Sequence, residues 1–251
     1  MRTKAALCGI FLVFTVSVAP AFAAERGEPY FTTGSDAAKI AAEVLYDGNA
    51  FVSSYGTSKA DKNQVLNAVQ SYVDAVSDTS ATPMVKGSVV NSGKPNEQMK
   101  LVLVPADDGF TDEELVVLTA KAGESVQSIS SYLCRVLSYD YSVKSVTAKS
   151  PQTTAKGSIA GGKAVCQGYA NAFAVFAEQA GIKSVKVRGY REGVYHVLNV
   201  VEDGFAVDVT YTDSSGDNYI MVPFEDFCKA TGFKPVVDFE TAFEMKYGPL
   251  E

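Results

Sequence analysis

Three residues carry the chemistry that this chain can offer: Cys166 in "GGKAVCQGYANAF", His196 in "GVYHVLNVV" and Asp208 in "GFAVDVTY". His196 is the only histidine in the sequence. That leaves at most one imidazole base and excludes multi-histidine metal sites and two-histidine mechanisms. Asp208 is an acid inside an otherwise apolar run. Buried there it is costly unless paired, and an imidazole twelve residues upstream is a natural partner. Cys166 precedes an apolar stripe of Tyr169, Phe173, Phe176 and Ala180, which Gly181 ends as a C-cap, so the thiol falls in the first turn of a helix. Unpaired amides and the macrodipole at that end favour a thiolate. Position alone equally allows a small buried hydrophobe, the usual state of a free cysteine.

The same stretch supports a competing reading. Gly157, Gly162 and Lys163 fit the G-x-x-x-x-G-K spacing of a phosphate-binding loop, but the next position, where a hydroxyl would bind magnesium, is Ala164. The preceding "SPQTTAK" is polar where that motif needs a hydrophobic strand, so the match is accidental. A zinc site built from cysteines and His196 lacks any C-x-x-C spacing. Serine catalysis lacks a G-x-S-x-G elbow. No cofactor and no metal is called for.

Helix, strand and strand must bring these three residues together, and the hairpin between His196 and Asp208 decides whether they meet. Asp203-Gly204 ordinarily signals a two-residue type I′ turn. That turn would set Asn199 opposite Asp208 and leave His196 and Asp208 on opposite faces of the sheet. A three-residue loop of Glu202, Asp203 and Gly204, with glycine left-handed in a G1 bulge, pairs Val201 with Phe205 instead. Leu198 then opposes Asp208, His196 opposes Thr210, and His196 becomes the diagonal neighbour of Asp208 on one face. The chemistry selects this less obvious loop, with positive φ at Gly204.

Upstream, Asp36 can cap a helix through Ala37, Ile40, Ala41, Val44 and Leu45 that Gly48 stops. A second helix carries Val65, Leu66, Val69, Tyr72, Val73 and Val76, and "MVKGSVVN" and "QMKLVLV" read as two strands joined by "SGKPNE". Thr111 and Glu114 have capping-box spacing ahead of a long helix that runs to about Ser138, with Gly123 a possible bend. "SVKSVTAKSPQTTAKGSIAGGK" reads as a polar loop, and Tyr139 and Asp140 as a cap on the helix before it. Short strands follow Gly181, with turns at 191–193 and at Asp203-Gly204.

The N-terminus has Arg2 and Lys4, an apolar run of 14 residues from Ala5 to Val18, and Ala21-Phe22-Ala23. This is the pattern of a signal peptide cut after Ala23, with an apolar run short of the roughly 20 residues a membrane span needs. Cys8 would leave with that peptide. Removing Arg2 and Lys4 takes the formal net charge from −7 to −9, which argues against nucleic acid or an anionic membrane surface as partner and against stable membrane insertion. The expected location is extracytoplasmic. Of the cysteines left, Cys134 and Cys228 sit in apolar helical segments, where two buried thiols and a disulfide are both open readings.

The run "GKAVCQGYANAF…AGIKSVKVRGY…YHVLNVVEDGFAVDVTYTD", with "SSYLCRVLSYDY" before it, resembles the transglutaminase-like superfamily, and in particular its bacterial secreted members, over about residues 111–225. The resemblance implies an α+β fold with a papain-like core, a nucleophile helix packed on an antiparallel sheet, and the upstream helices and strands read as a small α+β module ahead of it. The implied division is a signal peptide at 1–23, an N-terminal module at 24–110 and a catalytic domain at 111–251. It also implies Cys166 as nucleophile, His196 as general base and acid, and Asp208 as the residue that orients the imidazole. The expected activity is that of a cysteine peptidase or amidase on a protein or peptide substrate, including at a cell surface. Amine transfer by a transglutaminase and a non-catalytic binding or assembly module are the alternatives. Relatives commonly carry tryptophan two residues after the histidine and three after the acid, where this chain has Leu198 and Tyr211.

Overall fold

The computed structural model describes residues 34–47, 49–52, 59–76, 83–93, 97–104, 109–143 and 150–248. The expected leader at 1–23, with Cys8, and Gly48 lie outside them. The described chain begins with α1 (Gly34–Asp47), β1 (Asn49–Val52), α2 (Lys59–Val76), β2 (Met84–Val90) and β3 (Gln98–Val104). Asp36 therefore lies within the first turn of α1 rather than ahead of it. β1, unforeseen because four residues of "NAFV" carry little periodicity, joins the two expected strands in an antiparallel sheet of order β1-β3-β2.

The expected long helix is two helices, α3 (Asp112–Ala122) and α4 (Val126–Val136). The Thr111 hydroxyl accepts from the Glu114 amide while the Glu114 carboxylate accepts from the Thr111 amide, as the spacing predicts. Gly123 does more than bend the chain. Its φ of 81° and ψ of −176° end α3, and Ser125 and Ser128 then form a second capping box that starts α4. Next come β4 (Ser138–Tyr139), a 3₁₀ turn (Pro151–Thr153), α5 (Ala155–Gly161), β5 (Lys163–Ala164) and α6 (Cys166–Gln179). The stretch read as a polar loop is thus largely helical at its end. Thr154 caps α5 by accepting from the Gly157 amide, and Gly162 closes it at φ 65°. Glycines of the apparent phosphate loop belong to a helix and its C-cap.

The remainder is β6 (Ser184–Arg191), β7 (Val194–Val201), β8 (Phe205–Val207), α7 (Val209–Ser215), β9 (Ile220–Pro223), α8 (Phe224–Thr231), β10 (Phe233–Pro235) and α9 (Phe239–Tyr247). These strands form an antiparallel sheet of order β10-β6-β7-β8-β9. Alternation along β7 feeds two apolar clusters. Leu198 and Val200 join Val185, Val187 and the aromatic residues of α8 and α9, together with residues of α1, α2 and β3. Val201 joins the cluster of α3, α4 and α6, while Asn199 donates from Nδ2 to the Ala170 carbonyl at 3.2 Å, holding α6 against the sheet. The fold is α+β, and one continuous apolar cluster links its N-terminal helices to the larger sheet.

Candidate functional site

Cys166 opens α6, and Val165, the N-cap, has no side chain that can accept from the first-turn amides. Two features seat this helix end. Asp140 accepts from the Gln152 amide group with Oδ2 at 3.3 Å, and the Gln152 carbonyl accepts from the Val165 amide at 3.0 Å. The segment read as a helix cap therefore anchors the residue before the thiol. Gly168 lies so close to the 3₁₀ turn and α5 that a β-carbon would stand 2.3 Å from both Gln152 O and Ser158 Oγ.

The hairpin has the three-residue loop. Val201 pairs with Phe205 and Asn199 with Val207, Gly204 has φ 74°, and its amide donates to the Val201 carbonyl at 2.9 Å. One expectation is corrected. The ladder stops at Val207, so Asp208 does not face Leu198 and Thr210 does not face His196. Asp208 instead N-caps α7, accepting from the Tyr211 amide with Oδ1 at 3.0 Å. The β-branched Val209, Thr210 and Thr212 favour a strand by propensity, but the acid side chain satisfies the helix start.

His196 and Asp208 nevertheless meet. Nε2 of the imidazole lies 2.7 Å from Asp208 Oδ2, and the two residues are only 4% and 1% exposed. Burial opposes charge on the ring, but the Asp208 carboxylate and hydrogen bonds to Asp208 and to the Cys166 thiol outweigh it and push His196 up to about 10. Since Nε2 is taken by Asp208, Nδ1 is the ring nitrogen left for the sulfur. The site thus holds His196 and Asp208 as a buried hydrogen-bonded pair, with the Cys166 thiol near enough to the imidazole to favour its charged form. Tyr211 lies flat on the imidazole, with centroids 4.3 Å apart and 5° between planes, and the Arg191 guanidinium lies 4.7 Å from the same phenol ring. This position, remarkable in sequence only for lacking tryptophan, supplies the aromatic wall of the site. Tyr139 borders it too: burial first, and then the neighbouring Cys166 thiol, raise its phenol.

The other cysteines are set apart. Cys134 on α4 and Cys228 on α8 are free thiols that belong with different apolar clusters. Burial pushes Cys134 up to about 11, with Asp213 adding to it, and burial also raises Cys228.

Residues 111–219 match the family described as the transglutaminase-like superfamily. No curated protein matches the chain. Among solved structures, the chain is similar to a candidate cysteine protease from Cytophaga hutchinsonii at 14% identity and a TM-score of 0.34, covering 62% of this chain and 66% of that one. It is also similar to a structure described as a TGase, at 14% identity and a TM-score of 0.32, covering 74% of this chain and 56% of that one. The alignments span less than two thirds of either neighbour.

Proposed function

We propose that residues 111–219, which match the transglutaminase-like superfamily, are the core of a cysteine-dependent enzyme and that Cys166, His196 and Asp208 are its catalytic triad. The observation that carries this reading is the buried His196–Asp208 pair at 2.7 Å, with the Cys166 thiol beside the ring and favouring its charged form. A ring so placed can accept the thiol proton at Nδ1, while Asp208 stabilises the imidazolium that results. The thiolate adds to the carbonyl carbon of a peptide or carboxamide, and the Cys166 backbone amide at the helix start supplies one donor to the developing oxyanion. His196 returns its proton to the leaving amine as the C–N bond breaks. A thioester remains on Cys166. Water then attacks the thioester, His196 takes its proton and passes it to the departing thiolate, and the carboxylic acid is released.

The substrate is a protein or peptide and the reaction is hydrolysis, with the mature chain acting outside the cytoplasm after loss of residues 1–23. Incubation with a peptide library, with and without a lysine-like amine, followed by mass spectrometry of the products tests both parts. Products gaining water support the hydrolase. Amide products that incorporate the amine would make it a transglutaminase, and no covalent turnover at all would leave a binding module.

A further inference from the structure

The first turn of α6 has no capping side chain, yet it must aim a thiol at one nitrogen of His196. The Gln152 carbonyl seats the residue before the thiol, and Gln167, the residue after it, is held at both ends of its amide. Its Oε1 accepts from Arg188 Nη2 at 3.1 Å and from the Tyr195 hydroxyl at 3.3 Å. Its Nε2 donates to Asn171 Oδ1 at 3.4 Å, an oxygen that also accepts from Lys186 Nζ at 3.0 Å. Arg188 lies over the Tyr195 ring at 4.9 Å, and Tyr195 packs on the small cluster of Cys166, Ala170 and Val197.

Arg188 is held in turn from outside the transglutaminase-like segment. Its Nε pairs with Asp74 on α2, whose side chain is 0% exposed against 18% for the arginine. Asp74 is itself oriented by Gln70, whose Nε2 donates to Asp74 Oδ1 at 2.7 Å and to the Pro83 carbonyl at 2.8 Å, and whose Oε1 accepts from the Val85 amide at 2.6 Å. A guanidinium is suited to this arrangement, since its planar fork can engage a carboxylate and an amide oxygen at once with fixed geometry.

We infer that the N-terminal module is a built-in positioning element of the thiol site: Asp74 fixes Arg188, Arg188 fixes Gln167, and Gln167 sets the first turn of α6 and with it the direction of the Cys166 sulfur. Asp74 and Arg188 are positioning residues, and neither touches the reacting atoms. The inference rests on the reading of Cys166 as the activated nucleophile.

The test is iodoacetamide labelling of the full mature chain, with the rate at Cys166 followed from pH 5 to 10 by peptide mass spectrometry and thermal unfolding measured in parallel. Asp74→Asn leaves Arg188 buried without its counter-ion, and Asp74→Asn/Arg188→Met removes both charges, which by itself tends to restore stability. The expected result for the double variant is a near-normal melting temperature with Cys166 labelling at least 10-fold slower at pH 7 and a pH midpoint moved up toward that of an ordinary thiol. Arg188→Lys, which keeps the charge for Asp74 but lacks the fork, is expected to slow labelling as well. Unchanged labelling rate and midpoint in folded variants would overturn the inference. So would failure of all three variants to unfold cooperatively, which would make the pair a folding element alone. If Cys166 of the unaltered chain labels no faster than Cys134 or Cys228, the thiol reading itself falls and takes the inference with it.

Discussion

Replacing Asp208 by Asn isolates the charge of the acid from its shape. Asn is an equally good N-cap, so Oδ1 can go on accepting from the Tyr211 amide and α7 should persist. Two things change at His196. The carboxylate that favours imidazolium is gone, and the amide NH₂ now faces Nε2 as a donor. The neutral ring must therefore accept at Nε2 and keep its proton on Nδ1, the nitrogen the proposed mechanism assigns to the thiol proton, which it can then no longer take. Opposite charges about 4 Å apart at an effective dielectric of about 20 attract by about 4 kcal/mol, or about 3 pK units. That agrees in size with the rise of His196 from 6.5 to about 10. If the site relaxes enough to recover half, about 2 kcal/mol is lost, and the thiolate–imidazolium pair becomes roughly 30-fold scarcer; full loss makes it about 1000-fold scarcer. Alkylation of Cys166 by iodoacetamide across pH 5–10 reads this population directly. In Asp208→Asn the rate at pH 7 should fall within that range, and the remaining reactivity should rise only where an ordinary thiol ionises. A profile superimposable on that of the unaltered chain would refute the charge argument and remove Asp208 from the proposed triad.

Stability should depend on pH through the same ring. The folded-state pKa of His196 is raised above its unfolded value, so its contribution is fully present below about pH 6.5 and lost as pH rises through about 10. The difference in urea unfolding free energy between the protein and His196→Asn is expected to shrink by roughly 2–4 kcal/mol across that window, and a pH-independent difference would count against the ion pair. Tyr211→Ala removes the ring stacked on the imidazole, an interaction of about 0.5–1.5 kcal/mol; Cys166 alkylation should slow by roughly 3- to 10-fold, whereas Tyr211→Trp should preserve it. Gly168→Ala forces a methyl group into Gln152 O and Ser158 Oγ and should cost roughly 1–3 kcal/mol in thermal unfolding, with loss of selective labelling at Cys166.

The most legible part of the site was the part governed by parity. Side chains alternate along a strand, so the reading called for an odd-length loop with Gly204 left-handed, and the Val201–Phe205 pairing has it, although Asp208 itself leaves the ladder to cap α7. The helix of Cys166 was legible for a similar reason, since its apolar spacing and glycine stop leave little choice of boundaries. Local composition misled where side chains settle the conformation. Gly157, Gly161 and Gly162 read as loop, yet the Thr154 cap and the left-handed Gly162 bracket a helix. The polar support behind the thiol went unread although a signal was present. Lys186 and Arg188 are cations inside the apolar strand "SVKVRGY", and Asp74 is an acid on the apolar side of "VQSYVDAV". The pairing argument that joins Asp208 to an imidazole applies equally to them, but their partners lie far away in sequence, where no local pattern points.

Asp208 also explains why the strand had to end where it does. In a continued strand, residues three apart face opposite sides of the sheet, so Tyr211 could not share the face on which Asp208 reaches His196. In a helix, residues three apart lie on one side, a turn above one another. By capping α7 with Oδ1 while holding Nε2 of His196 with Oδ2, Asp208 converts the chain from strand to helix at its own position and brings Tyr211 round onto the imidazole face at 4.3 Å. One carboxylate thereby fixes the ring at its edge and, through the helix it starts, at its face. The two remaining freedoms of a histidine side chain, rotation about its ring axis and tilt of its plane, are both taken up before any substrate arrives. That leaves Nδ1 as the ring nitrogen available to a thiol proton, the condition for the proposed proton transfer.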